Sequence, residues 1–273
     1  MDIKLDDKIE NDVKKSINFK KILLIVCSIF ICIFLVIIYC RYKATSGLKV
    51  NEYKVTDSAL PQNFHGVKVV HFSDIYYGNT VSIEFLKEIV SSINEIKPDI
   101  VVFTGDLLSK EIDVDTKNEI ISILGSITSS IGKYAIKGDS DNSLFNEIIA
   151  SSGFTILDNS SLEIYYKGDT PIVIGNGDFS SDFFSILLVH EPDMINDYNN
   201  SFNLVLSGHS LGGQINLPFI RNLFLPSGSK KYYNGYYSVN GSNLYVSSGI
   251  GTTNFKYRFN NKPSINLYRL TSY

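Results

Sequence analysis

Hydrophobic and polar positions divide the 273-residue chain into three regimes. The first is the run ILLIVCSIFICIFLVIIYC, Ile22 to Cys40, which has no charge, Pro or Gly. At about 1.5 Å per residue it nearly matches a hydrocarbon core of about 30 Å. A buried helix of a globular domain does not need every face apolar. A cleaved signal peptide has a shorter apolar region and a small residue before its cleavage site, which IIYC lacks. The run therefore predicts one transmembrane helix. The second regime starts near residue 66 and alternates. VKVVHFSD, IVVFTGD and KYAIKGDSD are short apolar strands that break into turn residues. Between them, VSIEFLKEIVSSINEIKPD and NEIISILGSITS have helical spacing, with Phe85, Ile89 and Ile93 on one stripe of the first. This order predicts a mostly parallel sheet with helices outside. In the third regime, LEIYYKG, PIVIGNGD, FSILLVHEPD, FNLVLSGHS and NLYVSSG are short strands with little helix between them, which predicts a second sheet.

These regimes suggest a tail over 1–21, a membrane anchor over 22–40, a linker or stalk over 41–60 and a globular domain over 61–273. SGLKVNEYKVTDSALP, in the stalk, could enter the domain as an edge strand. Lys14, Lys15, Lys20 and Lys21 precede the anchor, and Arg41, Lys43 and Lys49 follow it. That bias favours a cytoplasmic N-terminus and an extracytoplasmic domain. The net charge of -3 offers no basic groove for a nucleic acid. Cys27, Cys32 and Cys40 all lie in or beside the anchor, so the domain has neither a disulfide nor a thiolate metal site.

The candidate chemistry sits where strands stop. Asp74, Asp106, Asp139, His190 and His209 each follow an apolar run, and layered parallel sheets place ligands at such strand ends. A single Asp after a strand is usually a turn or cap residue. Five Asp and His residues in equivalent places call for a common cause. GHSLGG, Gly208 to Gly213, also contains the G-x-S-x-G spacing of a serine hydrolase. That reading needs a strand, turn and helix with a His base after the serine. QINLPFI reaches Pro218 too soon for a helix, and none of His65, His71, His190 and His209 follows Ser210. Carboxylates and imidazoles suit zinc, manganese or iron instead.

VVHFSD, VVFTGD, KGDSD, ILLVHEPD, LVLSGHSLGGQINLPF and YVSSGIGTTNFKYRF occur together in order over roughly residues 66–273. The chain thereby resembles the calcineurin-like metallophosphoesterases, especially their membrane-anchored branch. The resemblance implies a four-layer α-β-β-α sandwich carrying two metals, here preceded by one transmembrane helix. It matches Asp74 to the family's first-loop Asp, Asp106 to its bridging carboxylate, and His190 and His209 to metal ligands. Asp139 stands where the family has Asn. Tyr76 and Leu211 replace metal-binding His residues, and Ser140 replaces the His that steadies the phosphate, leaving Ser140 as the one remaining catalytic candidate there. One ion would keep Asp106, Asp139, His190 and His209. The other would keep only Asp74 and Asp106. The implied cofactor is thus one divalent cation (Mn, Zn or Fe), and a second ion would rely on water or unusual ligands beyond those two carboxylates. Crowding of Asp74, Asp106, Asp139 and Asp141 would raise at least one carboxylate pKa. Two functions follow from the resemblance: weakened hydrolysis of a phosphomonoester or phosphodiester, or catalytically inactive binding of a phosphate-bearing ligand, lipid headgroup or partner protein. The implied partners are the bilayer, through residues 22–40, and a lipid-linked or envelope phosphate.

Overall fold

The computed structural model describes residues 3–273, with side chains from residue 18 onward. Residues 1–2 of the expected cytoplasmic tail, and the side chains of the rest of it up to residue 17, lie outside the described residues. The chain divides into two units at Lys43 and Ala44. In the first, helix α1 (Ile3–Ile38) continues into a π-helical turn, Tyr39–Lys43. The stretch Asn18–Lys43 is long and apolar enough to cross a membrane by length and composition. Its apolar side chains point outward on all sides, with Leu24 and Phe30 among the most exposed.

The second unit contains two six-stranded mixed sheets. The first has strand order β1 (Lys49–Thr56), β12 (Ser264–Thr271), β2 (Lys68–Phe72), β3 (Ile100–Phe103), β4 (Gly132–Ala135) and β5 (Thr155–Ile156). Strands β2 to β5 run parallel, and β12 is antiparallel to β2 and parallel to β1. The second sheet has the order β10 (Gly235–Val239), β11 (Ser242–Val246), β9 (Leu204–Ser207), β8 (Ser185–Val189), β7 (Ile172–Gly175) and β6 (Ser161–Ile164). Its middle strands are parallel and its outer pairs antiparallel.

Strands β3, β8 and β9 read as nearly continuous apolar runs because both of their faces are covered. Val69, Ile100 and Val102 face the second sheet, meeting Ile186, Leu188, Leu204 and Leu206. Val70, Phe72, Val101 and Phe103 face the helices. Those helices are α2 (Ile83–Ile96), α3 (Val114–Gly125) and α4 (Leu144–Ser151). Ser82 caps α2 by accepting from the Phe85 N–H at 3.3 Å, and Lys97 ends it in the left-handed conformation before Pro98. The buried stripe of α2 is Leu86, Ile89, Val90 and Ile93, with Phe85 half-buried at its edge. Asp113 caps α3 in the same way, through the Thr116 N–H at 2.7 Å.

One feature differs from expectation. Among the described residues no α-helix follows Ser151. The outer face of the second sheet is covered instead by a 3-10 turn, Pro192–Asn196, and by aromatics, Tyr198 and Phe202 from loops and Tyr237 from β10. The segments there are rich in Asn, Gly and Pro, which terminate helices early. The structure is thus an α/β fold with two mixed sheets, but α-helices cover only the first of them. Within 41–60, β1 is the edge strand of the first sheet, as the pattern of SGLKVNEYKVTDSALP suggested.

Candidate metal centre

Asp74, Asp106, Asp139, His190 and His209 follow the C-terminal ends of β2, β3, β4, β8 and β9. The backbone there is unusual. Asp74, Asp106 and His209 have φ of 56°, 62° and 66°, in the left-handed region that non-glycine residues rarely enter. Each such residue costs about 1–3 kcal/mol, and such strain gathers where a side chain must be aimed. The preceding glycines let the loops touch. A Cβ at Gly138 would lie 2.2 Å from Asp106 Oδ1, and one at Gly208 would lie 1.9 Å from Ser73 Oγ.

Four of the five side chains converge. Asp106, Asp139, His190 and His209 each offer a ligand atom, all within 4.8 Å of one another. His190 Nε2 lies 3.3 Å from Asp106 Oδ2 and 3.0 Å from Asp139 Oδ1. His209 Nδ1 lies 3.2 Å from Asp139 Oδ1 and 3.2 Å from His190 Nε2. A tetrahedral shell with bonds of about 2.0–2.1 Å has edges of about 3.3 Å, so these separations fit one cation. The imidazoles are oriented from behind. His190 Nδ1 donates to the Thr104 carbonyl at 2.6 Å, and His209 Nε2 donates to the Ser227 carbonyl at 2.6 Å. A carbonyl only accepts, so in each neutral ring the lone pair belongs to the nitrogen that faces the cluster.

Asp74 is not among the four. Its two oxygens each lie 3.0 Å from the His209 backbone N–H, so it holds the left-handed turn of that ligand. Tyr76 donates its hydroxyl hydrogen to Asp106 Oδ2 and faces Ser140 Oγ at 3.4 Å. Burial, then the negative charges of Asp74 and Asp106, push its phenol far above the ordinary value. Tyr76 therefore keeps its proton and acts as a donor. Leu211 is buried and packs toward Gly249 beside Asp74. The Ser140 N–H donates to Asp106 Oδ1 at 3.0 Å, while its side chain stays exposed.

The carboxylates separate in pKa. Burial pushes Asp74 up to about 6; Asp106 adds to this, and the charges of His190 and His209 oppose it. Asp141 is also pushed up to about 6 by burial, against three backbone donors. It accepts from the N–H groups of Asp106 (2.8 Å), Leu107 (2.8 Å) and Gly138 (2.9 Å), so it ties two site loops together. The His190 hydrogen bond, chiefly, holds Asp139 down at about 2. Burial would lower His190, but its bonds to Asp106 and Asp139 outweigh that and hold it well above the ordinary range.

Sequence reasoning did not find the Asp141 clamp, the donor role of Tyr76, or the carbonyls of Thr104 and Ser227. The doubled Asp in GDSD was the only signal for the first, and backbone acceptors have none. Ser210 is fully buried and donates to the carbonyl of Tyr233 at 2.7 Å, which removes it as a nucleophile. His65 Nδ1 pairs with Ser272 Oγ at 3.0 Å, and His71 Nε2 with Thr104 Oγ1 at 2.8 Å, so both serve structure. A cavity of about 220 Å³ opens beside Tyr76 and Ser140, lined further by Asn79, Ser109, Thr253 and Asn254. A larger one of about 510 Å³, beside Ser82 and Asp113, contains none of the site residues.

No family model matches the chain. It is 34% identical over 257 residues to YkuE, an uncharacterized metallophosphoesterase of Bacillus subtilis (strain 168), covering 86% of this chain and 89% of that one. It is 30% identical to the uncharacterized metallophosphoesterase Cj0846 of Campylobacter jejuni, over 76% of this chain and 59% of that longer protein. It is 23% identical to the phosphodiesterase YaeI of Escherichia coli (strain K12), over 74% of this chain and 82% of that one. With a relative so similar along most of both lengths, and one four-residue ligand cluster at its strand ends, the chain belongs to the calcineurin-like metallophosphoesterases.

Proposed function

We propose that this chain is a membrane-anchored phosphoesterase built around a single divalent cation, held by Asp106, Asp139, His190 and His209. The carrying observation is the cluster itself, with two carboxylates and two imidazoles facing one point. Manganese, zinc or iron suits that donor set. When bound, the cation supplies Lewis-acid charge to a phosphoryl oxygen and to the attacking water. The remaining steps fall to the chain. Asp139 and Ser140 are exposed, so a phosphate approaches from their side. Ser140, its N–H fixed to Asp106, offers its hydroxyl to a phosphoryl oxygen. Asn79, Ser109, Thr253 and Asn254 line the adjoining cavity with neutral hydrogen-bonding groups suited to an alcohol-bearing portion of the substrate. Tyr76 donates its hydroxyl hydrogen bond to Asp106 and so positions that carboxylate.

No imidazole stands ready to protonate the leaving group, a role worth about 10²–10⁴-fold. Turnover is accordingly slow, and either a phosphodiester or a phosphomonoester is accepted. YaeI carries the name phosphodiesterase, which favours the diester. Residues 1–21 face the cytoplasm, 22–40 cross the bilayer, 41–60 link, and the 61–273 domain faces outward, toward lipid-linked or envelope phosphates. A second reading, in which the chain binds such a phosphate without cleaving it, is favoured by the apolar Leu211 and by the Tyr76–Asp106 bond, which together close the place of a second cation.

The test uses the full chain in lipid nanodiscs. Metal content is measured after equilibration with manganese or zinc, and hydrolysis is followed on bis(p-nitrophenyl) phosphate and p-nitrophenyl phosphate. One metal per chain, with turnover abolished in Asp106→Ala and His209→Ala, supports the first reading. Metal and phosphate binding without turnover supports the second. A chain that takes up no metal at saturation defeats both.

A further inference from the structure

After the ligand His209 the chain runs through Gln214 into the segment NLPFIRNLFLPS, Asn216–Ser227, before the Ser227 carbonyl returns to the His209 ring. This loop is held by hydrogen bonds at its base and within it. Its base is tied to Phe259, with Asn216 N–H donating to the Phe259 carbonyl and Phe259 N–H donating to the Gln214 carbonyl, both at 2.9 Å. Internal turns bond Arg221 to Leu217 and Phe224 to Arg221. Lys230 Nζ donates to the carbonyls of Asn222 and Leu225 from below, and the Arg221 guanidinium lies 4.1 Å over the Tyr233 ring. Yet the loop presents apolar side chains to solvent. Phe219 is 102% exposed, Leu223 80% and Ile220 40%, and the neighbouring Phe255, stacked on Phe224 at 5.4 Å, is 44% exposed. The other exposed apolar side chains of this unit are mostly scattered singly, as on any soluble surface. A built loop that gathers several of them marks a docking surface.

Charge identifies the occupant. From Tyr198 to Tyr273 the chain contains no Asp or Glu. Lys230 and Lys231 follow the loop, and Lys256 and Lys262 flank the segment around Phe259 that supports it. Asp193 lies at the base, where its carboxylate accepts the backbone N–H groups of Lys230, Lys231 and Tyr232. Aromatic and aliphatic tips beside lysines, on a chain that carries its own membrane-spanning stretch, suit the interface of an anionic bilayer. We propose that the loop Leu217–Phe224 inserts its apolar tips into an anionic phospholipid surface. Because the Ser227 carbonyl, three residues beyond this loop, accepts from His209 Nε2 at 2.6 Å, insertion would bring the candidate metal centre close to the lipid surface.

The inference rests on the anchoring reading above, and the experiment separates the two. The chain has no tryptophan, so Phe219→Trp introduces a single reporter. Leu223→Trp repeats the measurement, and Val114→Trp, at an exposed position on α3, is the control. The full-length variants are reconstituted in phosphatidylcholine vesicles with and without phosphatidylglycerol, using brominated lipids as quenchers. Co-flotation with vesicles tests the anchor. The loop is tested by fluorescence: Phe219→Trp and Leu223→Trp lose most of their emission to brominated lipid in the anionic vesicles, less in neutral vesicles or high salt, and Val114→Trp is unaffected. Chains that float but show water-like, unquenched emission at both loop positions overturn the proposal. So does an emission shift that grows with protein density without quenching, since a second copy of the chain then covers the patch. Chains that do not float refute the anchor.

Discussion

Replacing Tyr76 with Phe removes one hydroxyl and keeps the ring. That hydroxyl donates to the fully buried Asp106 carboxylate and faces only Ser140 otherwise. A hydrogen bond to a buried charged group is worth about 1.5–3 kcal/mol. For a unit spanning Ala44–Tyr273, 1 kcal/mol corresponds to about 2–4 °C in melting temperature. Cation-free Tyr76→Phe should therefore melt about 3–12 °C below the parent. Cation affinity should move the other way. Asp106 Oδ2 faces His190 on one side and the Tyr76 hydroxyl on the other, so losing the donor leaves a more basic ligand oxygen. The variant should bind manganese at least as tightly as the parent, still at one ion per chain. The assay pairs thermal unfolding in chelator with calorimetric manganese titration. A tenfold or greater loss of affinity, about 1.4 kcal/mol, would mean that the phenol is itself a ligand. An unchanged melting temperature would mean that the bond to Asp106 does not form.

Gly138→Ala places a Cβ 2.2 Å from Asp106 Oδ1, so the carboxylate must shift. Cation affinity should fall about 10–100-fold while circular dichroism stays native, and undiminished affinity would show that Asp106 is not held as described. His71 supplies a pH dependence. Its buried ring donates from Nε2 to Thr104, whose own hydroxyl hydrogen goes to Ser73 Oγ, and burial lowers its pKa to about 3. The folded state therefore holds the neutral ring, while the unfolded chain protonates it near pH 6.5. The stabilisation is complete above that value and declines as pH falls from there toward about 3, by about 2 kcal/mol at pH 5. Urea denaturation of His71→Asn should lack this component, and an identical pH profile in both proteins would refute the assignment.

Much of this molecule could be read from residue order. The all-apolar run from Ile22 to Cys40 was legible as a helix long and apolar enough to cross a membrane, because that property depends on length and composition alone. The strands before Asp106, His190 and His209 were legible because burial on both faces leaves nearly continuous apolar runs, and their polar ends were legible by contrast. Other features were decided only by distant parts of the chain meeting. β12, the strand between β1 and β2, has the ordinary alternation of SINLYRLT, and its place depends on partners more than 190 residues away in sequence. The helical cover expected over the second sheet is instead a 3-10 turn and loops, because packing of Phe202, Tyr198 and Tyr237 replaces it. At the site, the resemblance singled out the four residues that cluster, Asp106, Asp139, His190 and His209, but not the partners that hold the side chains around them. Asp74 turns to the His209 backbone, Tyr76 is a donor, and Asp141 clamps two loops. Each role depends on a hydrogen-bond partner supplied by another loop, and backbone carbonyls such as those of Thr104 and Ser227 leave no mark on side-chain sequence.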